Sequence, residues 1–154
     1  MLARPSLGSS IEPYDERYAD DIASLIQQFH HEALSEYVGE ISPDAILQTI
    51  RDADKRNVFL FVADDHAQGL LYGVRTKSTT GEGDIWQEVI WYVTPTYRRS
   101  GISLLQYAEK ALKESGVSLM IMVALANSKT EKLHRFYERL GYRPMETHFS
   151  RRLV

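Results

Sequence analysis

The sequence predicts a mixed α/β (α+β) fold, in which a mostly antiparallel central sheet carries helices on its flanks. Strand-like apolar runs are interleaved with amphipathic helical stretches, without the strict strand–helix alternation of a fully parallel sheet. Two of these runs, residues 58–63 and 69–76, are close enough to pair as a hairpin. A third, 117–125, is almost continuously apolar, as expected at the centre of a sheet. One parallel pair is expected within the sheet: the strand at 85–93 and the strand at 117–125, joined by a crossover helix.

The elements follow in order. Residues 1–9 contain Pro, Gly and Ser without apolar periodicity and read as a flexible arm, leaving 10–154 as a single domain. A short strand is expected near 10–14. Ile22, Leu25, Ile26 and Phe29 follow helical spacing and predict an amphipathic helix over 18–34. Ser42-Pro43-Asp44 supplies a cap and a first-turn proline for a second helix to about residue 51. The hairpin turn is read at 64–68, and a glycine-containing turn at 79–84 leads to the strand at 85–93. Leu104, Leu105, Ala108, Ala111 and Leu112 give the next helix, 104–115, its buried stripe, and Gly116 ends it. A last helix over 128–140 buries Leu133, Phe136, Tyr137 and Leu140, with Gly141 as its cap. A final strand is expected over 142–153.

Composition narrows the functional classes. At 154 residues, with 44% hydrophobic and 25% charged residues, the chain is an ordinary globular protein. A net charge of −3 lacks the basic face that nucleic-acid binding requires. The absence of cysteine removes disulfides, thiolate zinc sites and thiol nucleophiles. The five histidines show no repeated ligand spacing, so no metal is expected. No apolar run reaches spanning length and no leader-like segment opens the chain, so a cytoplasmic protein without membrane contact is expected.

Chemistry concentrates at Arg98-Arg99-Ser100-Gly101-Ile102-Ser103, a basic, glycine-containing loop between a strand and a helix start. Free backbone N–H groups and the helix dipole, roughly half a positive charge, favour an anion there. Gly101 permits close backbone approach, and the arginines offer charge-assisted hydrogen bonds. No Gly-Lys-Ser/Thr ending marks a nucleotide-triphosphate loop.

Arg98-x-x-Gly101-x-Ser103, preceded by Val93-Thr94-Pro95-Thr96-Tyr97, resembles the Arg/Gln-x-x-Gly-x-Gly/Ala signature of the GNAT acyl-CoA N-acetyltransferase superfamily. About forty residues later, Asn127 and Phe136-Tyr137-Glu138-Arg139-Leu140-Gly141-Tyr142 resemble its second signature. Ser103 departs from the usual Gly or Ala and adds a hydroxymethyl group beside the expected pyrophosphate. The resemblance is strong over 84–150 and weaker over 9–80. It implies a GNAT-like fold whose parallel strands splay apart to admit acetyl-CoA, with direct acetyl transfer to a primary amine. By the same resemblance, the backbone of Tyr92 and Val93, with Trp91 adjacent, holds the pantetheine arm, and residues 98–103 hold the diphosphate. Asn127 is implied either as a pantetheine contact or as a helix cap.

Two residues stand out as catalysts. Tyr137 matches the family tyrosine that protonates the departing thiolate; an ordinary phenol, pKa near ~10, holds its proton at neutral pH. Glu88 lies in an otherwise apolar strand, where a carboxylate is costly unless it meets solvent, a partner or substrate. Strict alternation places it on one face with Ile90 and Tyr92. The family often has a Glu here that takes the amine proton; an edge charge is the alternative. The acidic residues Asp20, Asp21, Glu32, Glu36 and Glu40 either attract a cationic acceptor or form a solvated face. A noncatalytic acyl-CoA sensor is the competing function. The open edge of the final strand, with the family's habits, points toward a homodimer.

Overall fold

The computed structural model describes residues 8–35, 39–125 and 129–153. Five strands form one sheet in sequence order: β1 (Ser10–Pro13), β2 (Val58–Ala63), β3 (His66–Lys77), β4 (Asp84–Val93) and β5 (Val117–Ile121). All neighbours are antiparallel except β4 and β5, the parallel pair. α1 (Ala19–Phe29) and α2 (Pro43–Asp52) cover one face, packing Ile22, Leu25, Leu47 and Ile50 against Leu60, Leu70, Ile90 and Tyr92. α3 (Ser100–Glu114) covers the other face, packing Leu104, Leu105, Ala108 and Leu112 against Phe59, Leu71, Trp86 and Val93. Phe136 and Leu140 of α4 (Thr130–Arg139) join that second core. This is the predicted three-layer mixed fold.

Local chemistry explains most boundaries. Ser42 Oγ accepts the Ala45 N–H at 3.2 Å, with Pro43 in the first turn of α2, as the sequence predicts. Gly141, at φ +91°, ends α4, and the Tyr142 N–H reaches back to the Tyr137 carbonyl at 3.0 Å. Beyond Phe29 the first helix continues as a wider π turn, His30–Leu34, and so reaches the predicted length.

Four expectations are corrected. The β2–β3 turn is only Asp64-Asp65, both left-handed at φ 53° and 61°, which is the tight hairpin geometry that aspartate tolerates. α3 begins at Ser100, so residues 100–103 form its first turn instead of a loop before it. β5 stops at Ile121 and lies at the edge of the described sheet, with Leu119 42% exposed. Residues 143–153 form no strand: they are extended to solvent, with Phe149 and Leu153 almost fully exposed.

Two features of β4 prepare the site. Pairing with β5 covers only Asp84 to Gln87, after which the strands part. A bulge also interrupts the pairing with β3, since Tyr72 opposes Ile90 while Gly73 opposes Glu88. Val89 is the extra residue, and every side chain before it changes face relative to strict alternation. Glu88 therefore belongs with Trp86, Trp91 and Val93, not with Ile90 and Tyr92 as alternation predicts.

Candidate active site

The parting of β4 from β5 leaves a cleft whose walls are main chain. Alternate N–H and C=O groups of residues 88–93 face it with no strand beside them among the described residues. The cleft runs up to the start of α3, where no side chain caps the helix. Gly101 is buried there, and a Cβ on it would lie 3.6 Å from the Trp91 ring and from Val93. That is ordinary contact, so packing on β4 would admit a small side chain, and the Gly101 N–H is itself donated to the Arg98 carbonyl at 3.1 Å. The Trp91 indole N–H is buried beside this turn with no hydrogen-bond partner. An uncapped helix start, a free strand edge and an orphaned donor together fit an anionic ligand with an amide-rich arm, as acetyl-CoA is.

Arg98 is already engaged. Its Nε donates to the Val93 carbonyl at 2.6 Å and its Nη2 to Glu32 at 2.9 Å, with the guanidinium over the Tyr92 ring. Tyr92 Oη donates to the same Glu32 carboxylate at 2.9 Å. Burial works to raise the Glu32 pKa, but the hydrogen bonds from Tyr92 and Arg98 outweigh it and hold the group below its ordinary value. Arg98 and Tyr92 thereby fasten the π turn of the first helix to the end of β4. This gives Glu32, one of the acidic residues noted in the sequence, a defined partner; Glu36 and Asn127 lie outside the described residues. Arg99 is exposed, and Ser100, Ile102 and Ser103 follow in the first turn of α3.

The two candidate catalysts meet where the strands part. Tyr137 is buried on α4, its ring stacked 6.1 Å from Trp91, 5.8 Å from Phe136 and 5.5 Å from Tyr142. Its hydroxyl donates to the carbonyl of Val123 at 3.3 Å. The Glu88 carboxylate accepts the backbone N–H of the same residue, Val123. Desolvation pushes the Glu88 pKa up to about 8, the Val123 amide offsetting only part of the penalty. Desolvation, with smaller contributions from Glu88 and Tyr142, raises the Tyr137 phenol far above its ordinary value. One group is thus able to exchange a proton near neutrality and the other keeps its proton.

Sequence reasoning missed Val123, because its contribution is entirely main chain and leaves no mark on residue type. It also missed the aromatic wall, though Phe136, Tyr137 and Tyr142 stand together in the second signature. On the opposite face of the sheet Val74, Thr76, Ile85, Gln87 and Val89, with Glu88, line a cavity of about 210 Å³.

The comparisons agree with this geometry. Residues 55–144 match the model of the acetyltransferase (GNAT) domain. No curated protein matches the sequence. An aminoglycoside acetyltransferase from an uncultured soil metagenomic sample shares the fold at a TM-score of 0.73 and 16% identity, over 96% of this chain and 100% of that one. Ribosomal-protein-alanine N-acetyltransferase from Brucella melitensis biovar Abortus 2308 aligns at 0.72 and 16% identity, over 96% and 100%. Glucosamine-6-phosphate N-acetyltransferase from Arabidopsis thaliana aligns at 0.70 and 12% identity, over 96% and 100%. With its split parallel pair, its open helix start and a family match across more than half its length, the chain belongs to the GNAT family of acetyl-CoA-dependent acetyltransferases.

Proposed function

We propose that the protein transfers the acetyl group of acetyl-CoA directly to a primary amine, with Glu88 as general base and Tyr137 as general acid. The observation that carries this reading is Val123, whose N–H holds the Glu88 carboxylate and whose C=O holds the Tyr137 hydroxyl. Base and acid are thereby spaced by one residue of main chain.

When bound, acetyl-CoA supplies an activated thioester; the protein supplies placement and proton traffic. Backbone groups of Tyr92 and Val93 line the pantetheine path, with the Val93 carbonyl shared with Arg98. The first turn of α3, with Arg99, Ser100, Gly101, Ile102 and Ser103, faces the diphosphate, the Gly101 N–H being already donated to the Arg98 carbonyl, and the Trp91 N–H gives the arm a further donor. Glu88, once ionised, takes a proton from the acceptor's ammonium group and leaves a nucleophilic amine. The C–N bond forms, the C–S bond breaks, the departing sulfur takes the phenolic proton of Tyr137, and the second proton shed by the acceptor nitrogen as the adduct collapses restores the phenol.

Fold neighbours named for an aminoglycoside, a ribosomal-protein alanine and glucosamine 6-phosphate show how varied the acceptors of this architecture are. The test is CoA release with a panel of amines. Tyr137→Phe should lower kcat by about 10²–10⁴-fold, the usual range for general-acid loss, with acetyl-CoA affinity nearly unchanged. Glu88→Gln should abolish the rise in rate that wild type shows as pH passes about 8. Tight acetyl-CoA binding without turnover on any amine would instead mark a sensor. We also propose a homodimer, formed through the exposed tail that carries Met145, Phe149 and Leu153.

A further inference from the structure

Where β4 ends, one side chain closes the open edge of the cleft. The Thr94 N–H is donated to Gln68, beside β3, at 2.9 Å. The Val93 carbonyl belongs to the same trans peptide, so it points away from β3 and into the cleft. Arg98 Nε fills that carbonyl at 2.6 Å. Nη2 of the same guanidinium donates to Glu32 at 2.9 Å, and Tyr92 Oη donates to the other oxygen of that carboxylate at 2.9 Å. The Nε–Nη2 edge of Arg98 is thus filled from within the protein. Glu32 belongs to the π turn His30–Leu34, a geometry that recurs at functional sites. Just before that turn, Phe29 meets the Tyr92 ring edge-on at 6.4 Å, so the helix end is seated from two positions.

Resting on the proposed acetyl transfer, we infer that Glu32 and Arg98 are positioning residues for the acetyl donor. A ligand laid along residues 88–93 as an extra strand pairs with their free main-chain groups. Arg98 already takes the Val93 carbonyl, so registers of the arm that rely on that acceptor are disfavoured. Glu32 holds Arg98 in place and acts through it, not on the donor. In this role Arg98 is a stop for the pantetheine arm instead of a contact to the diphosphate. Without the stop, the Val93 carbonyl becomes an acceptor for an arm amide and a second register opens. The thioester then stands displaced from Glu88 and Tyr137 in a share of the complexes, which lowers turnover more than affinity.

The experiment measures kcat at saturating acetyl-CoA and saturating amine, with the amine of the panel that wild type acetylates fastest. Calorimetry gives acetyl-CoA affinity and circular dichroism reports folding. The Arg98 and Glu32 side chains are 45% and 40% exposed, so substitutions there leave both cores intact. Arg98→Ala and Glu32→Gln should each lower kcat by roughly tenfold to a hundredfold, the scale of a small misplacement, while acetyl-CoA affinity stays nearly constant. The double variant should be no slower than Arg98→Ala alone, because Glu32 acts only through Arg98. A diphosphate contact requires the reverse: Arg98→Ala weakens acetyl-CoA binding and keeps kcat, and Glu32→Gln is silent. That result, additive losses in the double variant, or a Glu32→Gln effect confined to the KM of the amine overturns the inference and leaves amine acetylation standing. Binding of acetyl-CoA by wild type with no transfer to any amine overturns both.

Discussion

At the scale of single residues, the proposed chemistry turns on a carboxylate held away from water. Glu88 has an ordinary value of 4.5 and is raised to about 8 in the fold, so the folded protein keeps a proton that the unfolded chain releases. By linkage, its contribution to stability is complete below about 4.5, declines as pH rises and is lost by about 8. Urea midpoints across that window should fall with pH in wild type, and the slope should flatten in Glu88→Gln; equal slopes would remove the buried-acid assignment. Glu88 and Tyr137 were legible in the sequence, one as a charge in an apolar strand and the other through a motif. The face on which Glu88 lies was not legible, because alternation assumes regular pairing and a single extra residue at Val89 reverses it. Arg98 was legible as a basic group beside the cleft, but its partners were not. The carboxylate it meets stands sixty-six positions earlier, and only the folded chain brings the two to 2.9 Å.

At the scale of elements, the strand that carries Glu88 is seated by a size match. Trp86 is fully buried over Gly73 on the neighbouring strand, and a Cβ at Gly73 would run into its ring and the Gln87 carbonyl. Gly73→Ala should therefore destabilise the fold by about 1–3 kcal/mol, the usual cost of overpacking. Chemical denaturation measures this, and an unchanged midpoint would mean that Trp86 moves aside freely. Helices α1 and α2 were readable because capping and apolar spacing are local. The extent of β5 was not, since an apolar run fixes neither where a neighbouring strand peels away nor whether the strand has two neighbours. The tail shows the same limit. Its alternation of Met145, Thr147 and Phe149 suits a strand, yet a strand also needs an edge to pair with.

At the scale of the whole molecule, that unpaired tail predicts self-association. Met145, Phe149 and Leu153 are 62%, 94% and 90% exposed, more apolar surface than a solvated segment ordinarily carries in so few residues. Sedimentation equilibrium should report twice the 17.7 kDa chain mass, and removal of residues 149–154 should return the single mass while circular dichroism stays unchanged. A clean monomer at micromolar concentration would remove the dimer. The split between β4 and β5 has a further consequence at this scale. Because β4 and β5 part beyond Gln87, the main chain of residues 88–93 is open along one edge, so a ligand laid there extends the sheet and makes few demands on side-chain identity.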